Sequence, residues 1–314
     1  MPSLEVIRTI LVGMVMGAAE VVPGVSGGTI AFISGIYEKL LNSIKQFTPY
    51  ILVRLKDDGI PTVWREVDAN FLLMLFGGMG ISIILFAGGL NYLLENQPIA
   101  IWSFFFGLVI ASAILVASQI SSLGIESTLG ISLGVAIGVV LTHVAPVNLE
   151  PSPLTLFIGG SIAICAWILP GLSGSFILLI LGLYAFVIDA IKSFDLLNLM
   201  YLGLGCAMGI VAFSQVLSRT FARYRNLTLS VLTGFMLGSL MKLWPWKQTT
   251  SYQIKADGSQ LPLVQEPVLP GTYVLLTGDE PQVALALASA VSGLLIVAAI
   301  NWLAKKKVHD PDQA

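Results

Sequence analysis

The chain has 314 residues, of which 56% are hydrophobic and only 11% are charged, and its mean hydropathy is +0.88. Soluble domains carry about 25% charged residues, so this composition excludes a soluble globular protein and predicts an all-α polytopic membrane protein. The chain has sixteen Lys and Arg residues and eighteen Asp and Glu residues. This balance excludes a basic surface for nucleic acid.

The first apolar region, at about residues 4–45, contains a Pro-Gly-x-Ser-Gly break. The break is formed by Pro23, Gly24, Ser26 and Gly27. Proline has no backbone N–H and glycine favours non-helical dihedral angles, so a helix has to stop there. Three further apolar segments follow and are predicted membrane spans, at about residues 70–94, 99–120 and 128–145.

The second half of the chain repeats this pattern. The stretch VPGVSGGTIAFISGIYEKLLNSIK (22–45) matches LPGLSGSFILLILGLYAFVIDAIK (169–192) without gaps. The identical positions include the whole break, which recurs as Pro170, Gly171, Ser173 and Gly174. So many ungapped identities indicate an internal duplication, with predicted halves at 1–150 and 151–314.

The remaining elements of the second half follow from the same pattern. They are a broken-helix hairpin at about 153–192, spans at about 195–218, 227–246 and 283–303, and a polar segment at 247–282. The polar segment contains Ala256-Asp257-Gly258-Ser259 between short extended runs, which predicts a β-hairpin within a small external cap.

Each broken hairpin either crosses the membrane or folds back as a re-entrant hairpin, and the loop charges favour re-entrant hairpins. With a cytoplasmic N-terminus, re-entrant hairpins place three cationic clusters in the cytoplasm: Lys45, Arg54, Lys56 and Arg65; Arg219, Arg223 and Arg225; and Lys305, Lys306 and Lys307. Crossing hairpins would move the first cluster outside. Three spans then remain in each half, so the halves are predicted to be inverted repeats with both termini in the cytoplasm.

Inverted repeats with broken helices are typical of secondary transporters. The second half-helix of each hairpin is expected to begin near Thr29 or Phe176, with its N-terminus towards the centre of the protein. Its N–H groups and the nearby hydroxyls predict an anion site, with phosphate as the natural ligand. The candidate binding residues are Ser26, Gly27, Gly28, Thr29, Ser173, Gly174 and Ser175. Tight packing of the hairpin tips is the alternative explanation.

Glu20 is the candidate coupling residue. It lies three residues before Pro23, and no other charged residue occurs between Thr9 and Tyr37. An ionisable residue at membrane depth is costly and is therefore a functional candidate, here for carrying H⁺ or holding Na⁺. A hydrogen bond to the adjacent loop is the alternative role. The second repeat has Trp167 at the equivalent position.

The paired motifs VPGVSGGT…GIYE and LPGLSGS…LGLY resemble the bacterial polyprenyl-phosphate transporter family over essentially the whole chain. The resemblance implies a flippase that returns undecaprenyl phosphate, the carrier lipid of envelope polymers such as peptidoglycan, from the outer to the cytoplasmic leaflet of the inner membrane. It implicates Glu20, the break residues Pro23, Gly24, Pro170 and Gly171, and the candidate binding residues named above. In the family pattern the position of Glu20 is acidic, usually Asp.

Two other function classes compete with a transporter. A small-anion channel would use the same half-helix ends. An intramembrane serine protease would use a G-x-S-G serine, but it needs a histidine on a neighbouring helix, and His143 at a span end is the only candidate. The two cysteines and two histidines form no metal-site spacing, and no P-loop is present, so neither an enzyme nor a cofactor is predicted. The sequence leaves the oligomeric state open.

Overall fold

The computed structural model describes residues 2–21, 26–48, 50–144, 147, 149–254 and 260–309. The helices before residue 150 are α1 (Pro2–Val21), α2 (Gly27–Ile33), α3 (Tyr37–Ile44), α4 (Ile51–Asp57), α5 (Ile60–Glu66), α6 (Ala69–Asn96), α7 (Pro98–Ala117) and α8 (Ile125–His143). The later elements are α9 (Pro153–Ile168), α10 (Gly174–Ile180), α11 (Tyr184–Lys192), α12 (Leu196–Arg223), α13 (Arg225–Leu243), β1 (Lys247–Ile254), β2 (Gln260–Pro267), α14 (Pro270–Thr277) and α15 (Val283–His309).

Six of the described helices are long and apolar enough to cross a membrane: α6, α7, α8, α12, α13 and α15. A seventh candidate is the pair α10 and α11, which is bent by 113° at its break. The predicted class, an all-α polytopic membrane protein, is confirmed. Its β structure within the described residues is one antiparallel pair of strands.

The half-helices after the breaks begin at Gly27 and Gly174, two residues before the predicted starts at Thr29 and Phe176. Ser26 and Ser173 precede them in the same extended conformation, with φ near −114° and −112°. A serine in this conformation is a typical N-cap, so the serine of each break sets where the helix begins.

Each return arm is broken a second time, which the sequence analysis missed. Gly35 and Gly182 have φ of 73° and 74°, a left-handed conformation that ends α2 and α10 after seven residues. The chain then turns into α3 and α11. Glycine adopts positive φ without steric cost, so these matched glycines turn the chain at the same point of both repeats.

The two ends of each hairpin lie side by side. The guanidinium of Arg8 in α1 donates to the carbonyl of Ser34 at the end of α2, at 2.9 Å. In the second hairpin, the N–H of Leu149, ahead of α9, donates to the carbonyl of Leu181 at the end of α10, at 3.2 Å. The second break of each hairpin, after α2 or α10, therefore lies beside the start of the helix that precedes the first break.

Glycines bring the long helices into backbone contact. In the pair α8 and α13, a Cβ added at Gly238 would lie 2.9 Å from Cα of Gly138, and one added at Gly234 would lie 2.8 Å from Cα of Gly134. Such distances are too short for side chains, so the two helices can approach this closely only through glycine.

The segment β1, β2 and α14 forms a cap that is tied to the helices by two tryptophans. Trp244 Nε1 donates to the carbonyl of Val268 at 2.8 Å, and Trp246 Nε1 donates to the carbonyl of Pro281 at 2.7 Å. Trp246 also packs against Ile99 and Ala286, at the ends of α7 and α15. The predicted β-hairpin is confirmed by the two paired strands; its turn, residues 255–259, lies outside the described residues.

Candidate functional site

The two broken hairpins meet at their tips. The hydroxyl of Ser26 lies 3.0 Å from the carbonyl oxygen of Trp167 and 3.1 Å from that of Leu169. The hydroxyl of Tyr37 donates to the carbonyl of Ile168 at 3.1 Å. The last carbonyls of a helix have no partner within it. Hydroxyls from the first hairpin therefore satisfy the end of α9, which belongs to the second.

A further hydrogen bond joins the two hairpins, and here the donor belongs to the second hairpin and the acceptor to the first. The N–H of Gly171 donates to Thr29 Oγ1 at 3.1 Å, and Gly171 has a φ of 89°. The backbone of Gly28 packs directly against the carbonyl of Ile168, so a Cβ at position 28 would overlap that oxygen. The two breaks thus interlock, and glycine is required on both sides of the contact.

The start of α2 is occupied by the protein's own side chains. Glu20 Oε1 accepts a hydrogen bond from the N–H of Gly27 at 2.5 Å. Ser26 Oγ accepts from the N–H of Gly28 at 3.1 Å, and the Ser26 carbonyl accepts from the N–H of Thr29 at 3.0 Å. A carboxyl group therefore stands where the sequence predicted a phosphate, and it takes up an N–H group of the helix N-terminus.

The start of α10 is different, although it carries the same motif. Trp167 stands in the place of Glu20, and its side chain approaches the Glu20 carboxyl group. The side chain of Ser173 caps no N–H group of α10 and instead bonds the hydroxyl of Ser175 at 2.7 Å. The second half-helix consequently has no side-chain cap and carries a pair of bonded hydroxyls.

The structure brings together only some of the predicted site residues. Ser26, Gly28 and Thr29 contact the second break, whereas Ser173 and Ser175 form no hydrogen bond to the first hairpin within the described residues. The predicted binding residues are buried except for Ser175, which is partly exposed. Pro170 and Gly171 are buried at the contact, while Pro23 and Gly24 lie outside the described residues.

Two lysines near this region are not among the site candidates of the sequence analysis. Lys242 Nζ lies 4.6 Å from the centre of the Phe176 ring, and Phe176 follows Ser175 in α10. Lys247 Nζ lies 3.2 Å from the centre of the Trp102 ring. The sequence signal for Lys242 was its position as a cation near the end of a predicted span. In the part of the chain that the structure describes, no three His, Cys, Asp or Glu side chains are grouped to hold a metal.

Comparison with known proteins identifies the family of the chain. Residues 16–261 match the model of a family described as undecaprenyl phosphate translocase-like. A polyprenyl-phosphate transporter of Vibrio cholerae is 43% identical over 97% of this chain and 99% of its own length. A polyprenyl-phosphate transporter of Staphylococcus aureus is 30% identical over 75% of this chain and 85% of its own length. No solved structure matches the chain. The family is one of transporters and not of enzymes, as the sequence predicted, and this chain belongs to that undecaprenyl phosphate translocase-like family.

Proposed function

We propose that the protein moves undecaprenyl phosphate from the outer to the cytoplasmic leaflet of the bacterial inner membrane, so that the carrier lipid can be used again. Two relatives are named polyprenyl-phosphate transporters, and the nearly full-length match to one of them supports the same class of substrate here. The observation that carries the mechanism is the difference between the two interlocked tips. One half-helix start is capped by a carboxylate, and the other is uncapped beside two hydroxyls.

Both hairpins are proposed to be re-entrant, one from each side of the membrane. The Arg8–Ser34 and Leu149–Leu181 hydrogen bonds support this, because they hold the ends of α2 and α10 beside the starts of α1 and α9. The cationic loops support a cytoplasmic position for both termini. The halves 1–150 and 151–314 are then inverted repeats that meet at the two breaks.

The lipid phosphate is proposed to bind first at the start of α10, where Ser173, Gly174 and Ser175 offer hydroxyl and backbone N–H groups. Ser175 is the exposed member of the group, which gives the phosphate access to it. Charge-assisted hydrogen bonds from such donors to an anion are about twice as strong as neutral ones. The polyprenyl chain stays in the bilayer beside the protein.

The start of α2, with Ser26, Gly27, Gly28 and Thr29, is proposed to open to the phosphate when the Glu20 carboxylate leaves the N–H of Gly27. Both anions compete for the same donor, so they exclude each other. A proton that neutralises Glu20 weakens its hydrogen bond and favours the exchange. We therefore propose H⁺ as the coupling ion, with Na⁺ held by the released carboxylate as the alternative.

A small-anion channel or transporter is the second candidate, because half-helix ends also bind inorganic anions. The two functions differ in their dependence on the isoprenoid chain. A channel would conduct chloride or phosphate in a planar bilayer and would be indifferent to undecaprenyl phosphate.

The test is leaflet exchange of undecaprenyl phosphate in proteoliposomes. We expect the unmodified protein to exchange the lipid, and Ser173→Ala with Ser175→Ala to slow exchange at least about tenfold through lost charge-assisted hydrogen bonds. Ser118→Ala is the matched control, since this exposed hydroxyl bonds only within its own helix end. No exchange by the unmodified protein at any pH or Na⁺ concentration contradicts the function. Unchanged exchange in the double variant contradicts the site alone.

A further inference from the structure

A lysine at the end of α13, the helix that leads into the cap, contacts the second hairpin. Lys242 lies in the last turn of α13, and its Nζ is 4.6 Å from the centre of the Phe176 ring. An ammonium group over an aromatic face is attracted by the ring, which holds the cation in this place. Phe176 follows Ser175 in the first turn of α10, so the cation lies over a ring of that turn.

A second lysine lies nearby and has no counter-charge. Lys247 is the first residue of β1, and its buried Nζ has no hydrogen-bond partner in the described part of the chain. Burial, together with the charge of the neighbouring Lys242, lowers the pKa of Lys247. No described Asp or Glu forms an ion pair with either lysine. Burial thus favours the neutral amine of Lys247, and the cation that lacks a described carboxylate partner is Lys242.

A cavity of about 170 Å³ opens beside Lys242, between the helix ends and strand β2. Its walls are mostly apolar, with Phe176 and Ile180 from the second hairpin. His143, at the end of α8, contributes a polar wall. The one carboxylate in the lining is Glu266, which is exposed and can turn towards solvent. A cation beside an apolar wall matches an anion that carries a hydrocarbon chain better than it matches a free ion.

We propose that Lys242 and Lys247 form a receiving site for a phosphate monoester at the cap end of the protein, from which the phosphate passes to Ser173 and Ser175. This inference rests on the proposed function, because the occupant is the headgroup of the transported lipid. Lys242 would contact the phosphate directly, and the approaching anion would favour the protonated form of Lys247 under the cap. Inorganic phosphate shares the headgroup chemistry, and the apolar wall favours the lipid over the free ion.

The first experiment measures exchange against lipid concentration for Lys242→Gln and Lys247→Met. We expect each variant to raise the half-saturating concentration of undecaprenyl phosphate, at least about tenfold for Lys242→Gln, while the maximal rate stays within about twofold. Lys242→Arg should keep the half-saturating concentration of the unmodified protein, because arginine keeps the positive charge. The control is Lys192→Gln, which removes an exposed cation that does not line the cavity. An unchanged half-saturating concentration in Lys242→Gln overturns the inference, even if Lys247→Met fails to fold.

The second experiment measures binding to the full chain in detergent, so that it does not depend on exchange. The probes are a short-chain prenyl monophosphate and inorganic phosphate. We expect the prenyl phosphate to bind the unmodified protein, and Lys242→Gln to bind it at least about tenfold more weakly. Inorganic phosphate should bind much more weakly than the prenyl phosphate. Equal binding of the two probes overturns the lipid assignment, and equal binding by Lys242→Gln overturns the site. If the unmodified protein binds but exchanges nothing, the proposed function fails and the receiving site stands.

Discussion

The carboxylate of Glu20 accepts a hydrogen bond from the backbone N–H of Gly27, seven residues later, at 2.5 Å. The bond joins the two sides of the first break, and it places an acidic side chain at the start of α2. Trp167, the second-repeat counterpart of Glu20, approaches the same carboxyl group. Side chains of both repeats therefore meet at this position.

Replacing Glu20 by Gln tests its coupling role. The amide oxygen can still accept from Gly27, but the side chain can no longer gain or lose a proton. We expect lipid exchange by Glu20→Gln to be at least about tenfold slower, because a neutral group cannot alternate between holding and releasing the N–H group. We also expect the pH dependence of the remaining exchange to be lost.

The measurement is exchange in proteoliposomes between about pH 5 and pH 9, a range that spans the titration of ordinary and buried carboxyl groups. Glu5→Gln is the matched control, since Glu5 is exposed and lies 3.7 Å from Lys39 at the helix end. A Glu20→Gln variant with the pH profile of the unmodified protein would exclude proton coupling through this residue.

Replacing Thr29 by Val tests the hydrogen bond between the two breaks. Valine has nearly the same shape but cannot accept from the N–H of Gly171, which is then left unpaired in a buried position. An unsatisfied buried donor costs about 1–3 kcal/mol, so the free energy of unfolding should fall by that amount. Thr128→Val is the control, because the Thr128 side chain is exposed and bonds only the nearby Gly124 carbonyl. Equal stability of the two variants in detergent would contradict the role of this bond.

Replacing Gly28 by Ala tests the close approach of the hairpins. The added methyl group meets the backbone carbonyl of Ile168, which cannot move without disturbing the end of α9. We expect a loss of about 1–3 kcal/mol in the free energy of unfolding, the usual cost of overpacking. Gly77→Ala in α6 has no heavy atom within 4 Å and should be neutral or gain about 0.5–1 kcal/mol from its better helix propensity. A neutral Gly28→Ala would show that the tips are less tightly packed.

Cysteine labelling tests the re-entrant arrangement. In a Cys165→Ala/Cys206→Ala background, single cysteines replace the exposed residues Asp58, Glu150 and Asp279. With re-entrant hairpins, an impermeant maleimide added to spheroplasts should label positions 150 and 279, and position 58 only after permeabilisation. Crossing hairpins would exchange the behaviour of positions 58 and 150 and leave 279 outside. Position 279 is therefore the internal reference.

The sequence by itself determined the membrane class, the six long apolar helices, the two matched breaks and the β-hairpin of the cap. These features depend on local properties: the hydropathy of about twenty consecutive residues, and the missing N–H of proline or the freedom of glycine. The family resemblance was also readable, because the motif around Pro23 recurs around Pro170.

Only the tertiary structure decided what these matched motifs contact. Identical serines have different roles: Ser26 caps α2 and bonds the carbonyls of α9, whereas Ser173 bonds Ser175. The reason is physical, since a hydroxyl takes whichever partner the packing brings within about 3 Å, and packing depends on segments more than a hundred residues apart. The contact between Lys242 and Phe176 also depends on packing between distant segments, so the sequence did not predict it. Two equal motifs in the sequence became one half-helix start with side-chain caps and one without a side-chain cap in the fold.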